Sequence, residues 1–279
     1  MKININISDE KKKEFNLKYL DRFIYEHKKE NWAKYRNKEL ENNRFKQEKR
    51  TIKFIGDKNV YIPIESIYNL NLQESRGIGI SKDTTIDGII KEFKERIKVL
   101  DEADLNRAQE LDSAISQLFK MPSKKEFLEI GFRIPKLQDY YKNTFLMNTA
   151  GIDINSFNVE LFAEMGYECF SLDLMKNESI STKLGKTFDV IICYHVLEHI
   201  INPAEAIKNI FDSMNKGGIF HVEIPIEPGT PRLEYGHLIS YESKDMLKLL
   251  EGVGFHIEYC TNKTHSGGPW IERYIAIKK

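Results

Sequence analysis

Phe127-Leu-Glu-Ile-Gly131 is the first of several short apolar stretches that lead into polar residues. It is followed by Ala150-Gly-Ile-Asp153, Cys169-Phe-Ser-Leu-Asp173 and Phe188-Asp-Val-Ile-Ile-Cys193, with helical patterns between them. Strands that alternate with helices predict a parallel sheet covered on both faces. Such a sheet binds its ligand beyond the carboxyl ends of its strands. Acidic residues at successive strand ends are therefore expected to converge on one nucleotide-type ligand.

The part of the chain from Lys125 onward predicts an α/β fold with a Rossmann-like, mostly parallel sheet of seven strands and helices on both faces. The strands are expected at 126–131, 149–153, 168–172, 188–194, 218–224, 255–260 and 273–277. A long helical pattern before this part ends at Met121-Pro122, because the residue before a proline avoids helical angles. Two domains, 1–121 and 122–279, are predicted.

The amino-terminal region, 1–121, is predicted to be mainly helical, since apolar residues recur in it at three- and four-residue steps. A strand, a turn and a second strand near 51–64 predict a short hairpin within it. Its first 50 residues carry 15 Lys and Arg against 9 Asp and Glu. This region could form a lid, a homodimer interface or a docking and substrate-binding surface.

The composition restricts the function classes. The 279 residues contain 42 basic and 42 acidic side chains, which gives the whole chain no attraction to nucleic acid. No apolar run is long enough to cross a bilayer, and the amino terminus turns polar at Ser8 before a signal peptide can form. A cytoplasmic protein without a membrane partner is expected. The three cysteines lie far apart, and the first two, Cys169 and Cys193, fall in predicted buried strands, which fits core residues better than a metal site or a disulfide.

Four blocks in order suggest a family. The first strand ends in Glu129-Ile-Gly131, and Asp153 lies 22 positions after Gly131 at the end of another strand. Asp173-Leu174 follows the third strand, and Phe188 to His199 forms the fourth block. In this order the blocks resemble the class I S-adenosylmethionine-dependent methyltransferases, especially their small-molecule branch. The resemblance implies an enzyme with S-adenosyl-L-methionine as its cofactor.

The resemblance also implies roles for single residues. Asp153 would accept both ribose hydroxyls, Asp173 would accept from the adenine amino group, and Leu174 would pack on the ring; a helix cap and a turn are the alternatives for the two acids. Arg133 and Pro135 stand where the family usually has further glycines. The full set of expected cofactor-binding residues is Glu129, Gly131, Phe132, Asp153, Ile154, Asp173, Leu174, Tyr194 and His195.

The loop after the fifth strand leaves the same edge of the sheet and is the expected wall of the acceptor site. Its candidate substrate-binding residues are Arg232, Tyr235, His237 and Tyr241. His195 and His237 are the candidate general bases, because an imidazole titrates near neutral pH; a structural hydrogen bond is the alternative for His237. His195 and His199 could share a helical face, but no third ligand follows at a recognisable spacing, so no metal is expected.

The leading hypothesis is O-methylation of a small polar metabolite, such as a sugar or a phosphorylated precursor in bacterial surface-glycan biosynthesis. Two alternatives are a nucleic-acid methyltransferase that uses the basic amino-terminal region and a catalytically inactive partner subunit with the same fold. The neutral overall charge argues against nucleic acid as the partner.

Overall fold

The computed structural model of the chain describes residues 8–11, 47–51, 59–63, 100–154, 156–174, 176, 178–200, 202–226, 241–264 and 270–279. Two short strands in the amino-terminal region, β1 (Gln47–Thr51) and β2 (Asn59–Pro63), pair antiparallel, with Thr51 opposite Asn59. The first strand thus lies upstream of the predicted start at Thr51. The helices predicted between 12 and 46 lie outside the described residues.

A seven-stranded sheet forms the centre of the described part. Its strands are β3 (Glu126–Ile130), β4 (Asn148–Asp153), β5 (Glu168–Ser171), β6 (Phe188–Tyr194), β7 (Met214–Ile226), β8 (Phe255–Thr264) and β9 (Trp270–Lys278). Their order is β5-β4-β3-β6-β7-β9-β8, in which β3 to β7 are parallel and β9 is antiparallel to both neighbours. The predicted Rossmann-like fold class is confirmed.

Helices cover both faces of this sheet. They are α1 (Glu102–Leu118), α2 (Lys136–Thr144), α3 (Ser156–Glu164), α4 (Ile180–Leu184), α5 (Pro203–Asp212) and α6 (Asp245–Val253). Asp101 caps α1 by accepting a hydrogen bond from the Asp104 amide at 3.0 Å, and Pro203 stands at the first turn of α5. The short helix α4, which the sequence pattern did not predict, begins where Ser179 accepts from the Thr182 amide.

The alternation of side chains along the strands divides the core between the two faces. Leu128 and Ile191 lie in one apolar cluster, whereas Phe127 and Ile192, their neighbours in sequence, lie in the other. The second cluster also contains Leu111 of α1, which is fully buried. Although α1 precedes the predicted domain boundary after Met121, its buried side chains therefore belong to the core of the sheet.

Among the described residues, no helix is both long enough and apolar enough to span a bilayer.

Candidate active site

The carboxyl ends of the strands border a cavity at the point where the strand order reverses. From β3 the chain proceeds to β4 and β5 on one side, and β6 then pairs with the other side of β3. A crevice at such a switch point is where open parallel sheets bind their ligands. We call it the donor cavity, after the methyl donor that the sequence resemblance implies. It has a volume of about 320 Å³ and is lined by Ile130, Gly131, Arg133, Ile152, Asp153, Ile154, Leu172, Asp173, Leu174, Tyr194, His195, Val196, His199 and Ile200.

A tight turn after β3 brings the backbone to the floor of the donor cavity. Gly131 has a φ of +72°, and a Cβ atom there would lie 2.4 Å from Cγ2 of Val196. Glycine is required at this point, since other residues avoid both that φ and that clash. Two residues later Arg133, at a φ of +38°, donates its backbone N–H to Oδ2 of Asp153 at 3.2 Å. The turn is thus kept despite the missing second glycine.

Two carboxylates face the donor cavity from neighbouring strands. Asp153 ends β4, and Asp173 follows β5 with its side chain 11 % exposed. The walls beside them are apolar and include Ile154, Leu174 and Ile200. Hydrogen-bond acceptors at the rim of an apolar slot suit a ligand with a flat ring and hydroxyl or amino groups along one edge.

A second cavity of about 310 Å³ adjoins the donor cavity, and we call it the charged cavity. The two share Ile130, Gly131, Arg133, Tyr194 and His195. Its remaining walls are formed by the acids Asp101, Asp104 and Glu129, the cations Arg107 and Lys136, and the apolar Phe132, Ile134 and Leu137. Three of the charged side chains of this cavity come from the start of α1: Asp104, Arg107 and the capping residue Asp101. The two cavities form one site with an apolar half and a charged half.

The carboxylate of Glu223 on β7 binds three cationic side chains at the back of this site. It is fully buried and accepts hydrogen bonds from Arg107, from Arg273 on β9 and from Nε2 of His195, the last at 2.8 Å. Burial alone would raise the pKa of Glu223, but the hydrogen bonds from His195 and Arg107 outweigh it and the pKa is lowered. Glu223 is therefore ionised over the whole physiological range.

The imidazole of His195 lies between two buried carboxylates. Its Nδ1 is 3.3 Å from Glu198 and its Nε2 is bound to Glu223, while the side chain remains 35 % exposed. Burial lowers its pKa, but the hydrogen bonds to Glu198 and Glu223 raise it more, to about 9. The ring is cationic at neutral pH and both nitrogens are engaged. This state does not suit the general base that the sequence suggested for His195.

A second buried group of polar residues lies behind Tyr194. The Tyr194 hydroxyl is 2.7 Å from Nδ1 of His221, and the Arg107 guanidinium is 4.9 Å from the centre of the Tyr194 ring. Nε2 of His221 is 3.7 Å from Glu110, whose other oxygen accepts from Arg273 at 3.1 Å. Burial lowers the pKa of His221 and raises that of Tyr194. Both side chains are uncharged at neutral pH.

The structure brings together most of the residues predicted to bind the cofactor. Seven of them line the donor cavity: Gly131, Asp153, Ile154, Asp173, Leu174, Tyr194 and His195. The other two, Glu129 and Phe132, line the charged cavity. Arg107, Glu110, His221, Glu223 and Arg273 were missed. Three of these carried a signal, since His221 and Glu223 interrupt one largely apolar strand and Arg273 interrupts another.

The predictions for the acceptor side have a different outcome. Tyr241 was expected to bind substrate, but it is fully buried in the core and donates its hydroxyl to the Leu197 carbonyl at 3.2 Å, so that prediction is wrong. Arg232, Tyr235 and His237 lie outside the described residues. Within the described part of the chain, His, Cys, Asp and Glu side chains form no group of three that could hold a metal ion.

Comparison with known families agrees with this geometry. A family profile described as a methyltransferase domain matches residues 103–259, which is more than half of the chain. The chain belongs to this methyltransferase family. It is an S-adenosylmethionine-dependent methyltransferase. The matched range begins within α1, so the methyltransferase domain includes the helix that lines the charged cavity.

Solved structures of other methyltransferases have similar folds. A putative sarcosine dimethylglycine methyltransferase from Galdieria sulphuraria is 12% identical, with a TM-score of 0.49 over 58% of this chain and 64% of that one. Magnesium protoporphyrin IX methyltransferase from Synechocystis PCC 6803 with bound SAH is 14% identical, with a TM-score of 0.48 over 68% and 94%. Phosphoethanolamine N-methyltransferase 2 of Haemonchus contortus is 13% identical, with a TM-score of 0.48 over 61% and 52%. The search of curated proteins gave no match.

The pairing of His195 predicts a pH-dependent contribution to stability. Its folded-state pKa of about 9 lies above the ordinary 6.5, so the stabilising charge is complete below 6.5 and is lost as the pH rises through 9. We expect the free energy of unfolding of the wild type to exceed that of His195→Gln by more at about pH 6 than at about pH 10. Urea unfolding of both proteins across this range measures the difference. A difference that stays constant or grows with pH would contradict the assigned charge.

Proposed function

We propose that the donor cavity and the charged cavity together bind one molecule of S-adenosylmethionine. The adenosine part lies in the donor cavity, where Asp153 accepts from the ribose hydroxyls, Asp173 accepts from the adenine amino group and Leu174 packs on the ring. The amino-acid part extends past Gly131 and Tyr194 into the charged cavity. Bound in this way, the cofactor supplies an electrophilic methyl group on a sulfonium sulfur.

The observation that carries this proposal is the division of the site into two joined halves of different chemistry. The cofactor is a nucleoside joined to an amino-acid zwitterion. The donor cavity offers carboxylates and apolar walls for the first part, and the charged cavity offers carboxylates, Arg107 and Lys136 for the second. The five shared wall residues lie at the junction, where the sulfur would be. The residues present thus fit the group in chemistry and charge.

The chain contributes to the transfer mainly by positioning. Methyl transfer from a sulfonium is an in-line displacement, which needs an acceptor lone pair aligned with the methyl carbon. His195 at the junction is fixed by Glu198 and Glu223 and has no free ring nitrogen to take a proton. The proton of an acceptor hydroxyl therefore has to pass to another group, and His237 remains the candidate from the sequence.

We further propose that the acceptor is a small polar metabolite methylated on an oxygen, such as a sugar or a phosphorylated precursor in bacterial surface-glycan biosynthesis. The lining of the site supports a polar acceptor, because the exposed Arg133 and the cationic His195 border both cavities. In the sequence that follows Ile226, Arg232 would bind an anionic group through its planar fork, and Tyr235 and His237 are the other proposed substrate-binding residues.

The two strand-end carboxylates should control cofactor affinity. Asp153→Asn and Asp173→Asn each replace a charged acceptor by a weaker one, so each should weaken binding of S-adenosylhomocysteine about tenfold or more in isothermal titration calorimetry. Asp212→Asn is the matched control, because Asp212 is 56 % exposed, pairs with Lys208 one turn earlier on α5 and lines neither cavity. Unchanged affinity in both cavity variants would exclude the assigned site.

The acceptor class is tested by incubating the protein with S-adenosylmethionine labelled with ¹³C on the methyl group. Sugars, sugar phosphates, amines and RNA are offered in parallel, and the labelled product is identified by NMR. We expect an O-methyl signal from a sugar or its phosphate, and Arg232→Ala should raise KM for the phosphorylated form alone. Labelled N-methyl groups, or transfer to RNA that weakens steeply with salt, would overturn the proposed acceptor.

A further inference from the structure

We propose that His221 is a positioning residue, which binds the hydroxyl of Tyr194 and thereby fixes the Tyr194 ring at the junction of the two cavities. Tyr194 is one of the five residues that line both cavities. His221 lines neither of them, so any effect on a bound ligand has to pass through Tyr194. This inference rests on the proposed binding of the cofactor across both cavities.

The Tyr194 ring is held at its hydroxyl and over its plane. The hydroxyl lies 2.7 Å from Nδ1 of His221, and the two rings meet edge to face, with centres 5.2 Å apart and planes at 83°. The guanidinium of Arg107 lies over the Tyr194 ring, 4.9 Å from its centre, and is itself bound to the buried Glu223. Because both contacts come from buried or ion-paired groups, the ring has little freedom to turn.

The direction of the hydrogen bond follows from the surroundings of His221. Its Nε2 is 3.7 Å from a carboxylate oxygen of Glu110, which accepts hydrogen bonds from Arg273 and Thr261, each at 3.1 Å. Burial lowers the pKa of His221 more than Glu110 raises it, so the ring is neutral. The nitrogen that faces the carboxylate carries the hydrogen of a neutral ring, which leaves Nδ1 as an acceptor. The Tyr194 hydroxyl is therefore the donor.

A histidine at this position is unfavourable for packing. His221 is fully buried on β7, and its neighbours along the strand, Phe220 and Val222, are fully buried apolar residues. Within the described part of the chain its Nε2 makes no hydrogen bond, because 3.7 Å to Glu110 is too long for one. A buried polar group with incomplete hydrogen bonding destabilises a fold, whereas an apolar side chain would not. Packing alone therefore does not account for His221.

The position of the Tyr194 ring matters for a ligand that passes from one cavity into the other. In the proposed complex S-adenosylhomocysteine passes this ring, whereas adenosine alone lies at the far end of the donor cavity, against Asp153 and Asp173. A ring released from His221 would change the junction and leave the nucleoside end of the site as it is. The two ligands therefore separate an effect on the junction from an effect on the whole fold.

Isothermal titration calorimetry with both ligands tests this role. We expect His221→Leu to weaken the binding of S-adenosylhomocysteine about fivefold or more and to leave the binding of adenosine unchanged. His221→Asn keeps an acceptor oxygen near the place of Nδ1 and should restore most of the lost affinity. The matched control is His256→Leu on β8, where His256 is 47 % exposed and pairs with Glu258; it should bind both ligands as the wild type does.

A double-mutant cycle shows whether the effect passes through the hydroxyl. Tyr194→Phe removes the donor of the same hydrogen bond and keeps the ring. It should weaken the binding of S-adenosylhomocysteine as much as His221→Leu does, and the double variant should bind no more weakly than either single variant. Additive losses would overturn the inference, because His221 would then act by another route.

Two further results would also overturn it: unchanged affinity for S-adenosylhomocysteine in His221→Leu, or equal losses for S-adenosylhomocysteine and adenosine. The second result would show that His221 supports the fold as a whole. In each of these cases the wild type still binds S-adenosylhomocysteine, so the proposed function stands. If the wild type binds neither ligand, the proposed function fails, and the role of His221 fails with it.

Discussion

The carboxylate of Glu223 is the interaction on which the rest of the site depends. It joins Arg107 of α1, Arg273 of β9 and His195 after β6 at one fully buried point. A charge in that position is tolerated only with its partners in place, and removing one partner of a buried pair costs roughly 3–5 kcal/mol. The helix α1, the strands at the centre of the sheet and the junction between the cavities are therefore fixed together.

This arrangement explains why the two halves of the site differ in chemistry. The donor cavity lies between strand ends, where apolar side chains of β4 and the segment after β5 form its walls. The charged cavity lies between the same sheet and α1, whose first turns carry Asp104 and Arg107. Because the buried Glu223 also binds Arg107, the ion pair between Arg107 and Asp104 needs little rearrangement when a zwitterionic ligand binds. Preorganised charge of this kind favours transfer by holding the reacting groups in place before the reaction.

Much of the fold and half of the site could be predicted from the sequence, and the reason is that both depend on local patterns. Asp153 and Asp173 follow apolar strands. The apolar pattern of each strand and the turn after it are therefore enough to place both residues at the edge of the sheet. Gly131 was identified in the same way, since its turn needs a positive φ. Tyr241 was misjudged because an aromatic residue after a polar loop fits either a ligand wall or a core, and only packing decides between them.

The remaining part of the site depends on contacts between distant residues. Arg107 and Glu223 are 116 positions apart, and Glu110 and Arg273 are 163 apart. In the sequence of α1, Arg107 and Glu110 look like charged residues on a solvent-exposed helix face. No local pattern shows that they face buried partners. The charge state of His195 depends on Glu198, three positions further along the chain, and on the distant Glu223, and the sequence does not show that both carboxylates are buried beside the ring, which is why it suggested a base where the structure has a cation.

A crystal structure of the protein with S-adenosylhomocysteine tests the central claim most directly, because it shows where each part of the cofactor lies. The account predicts the ribose hydroxyls against Asp153, the adenine edge at Asp173 and the amino-acid part beside Glu129 in the charged cavity. An amino-acid part directed away from α1, or a ligand bound outside the two joined cavities, would contradict it.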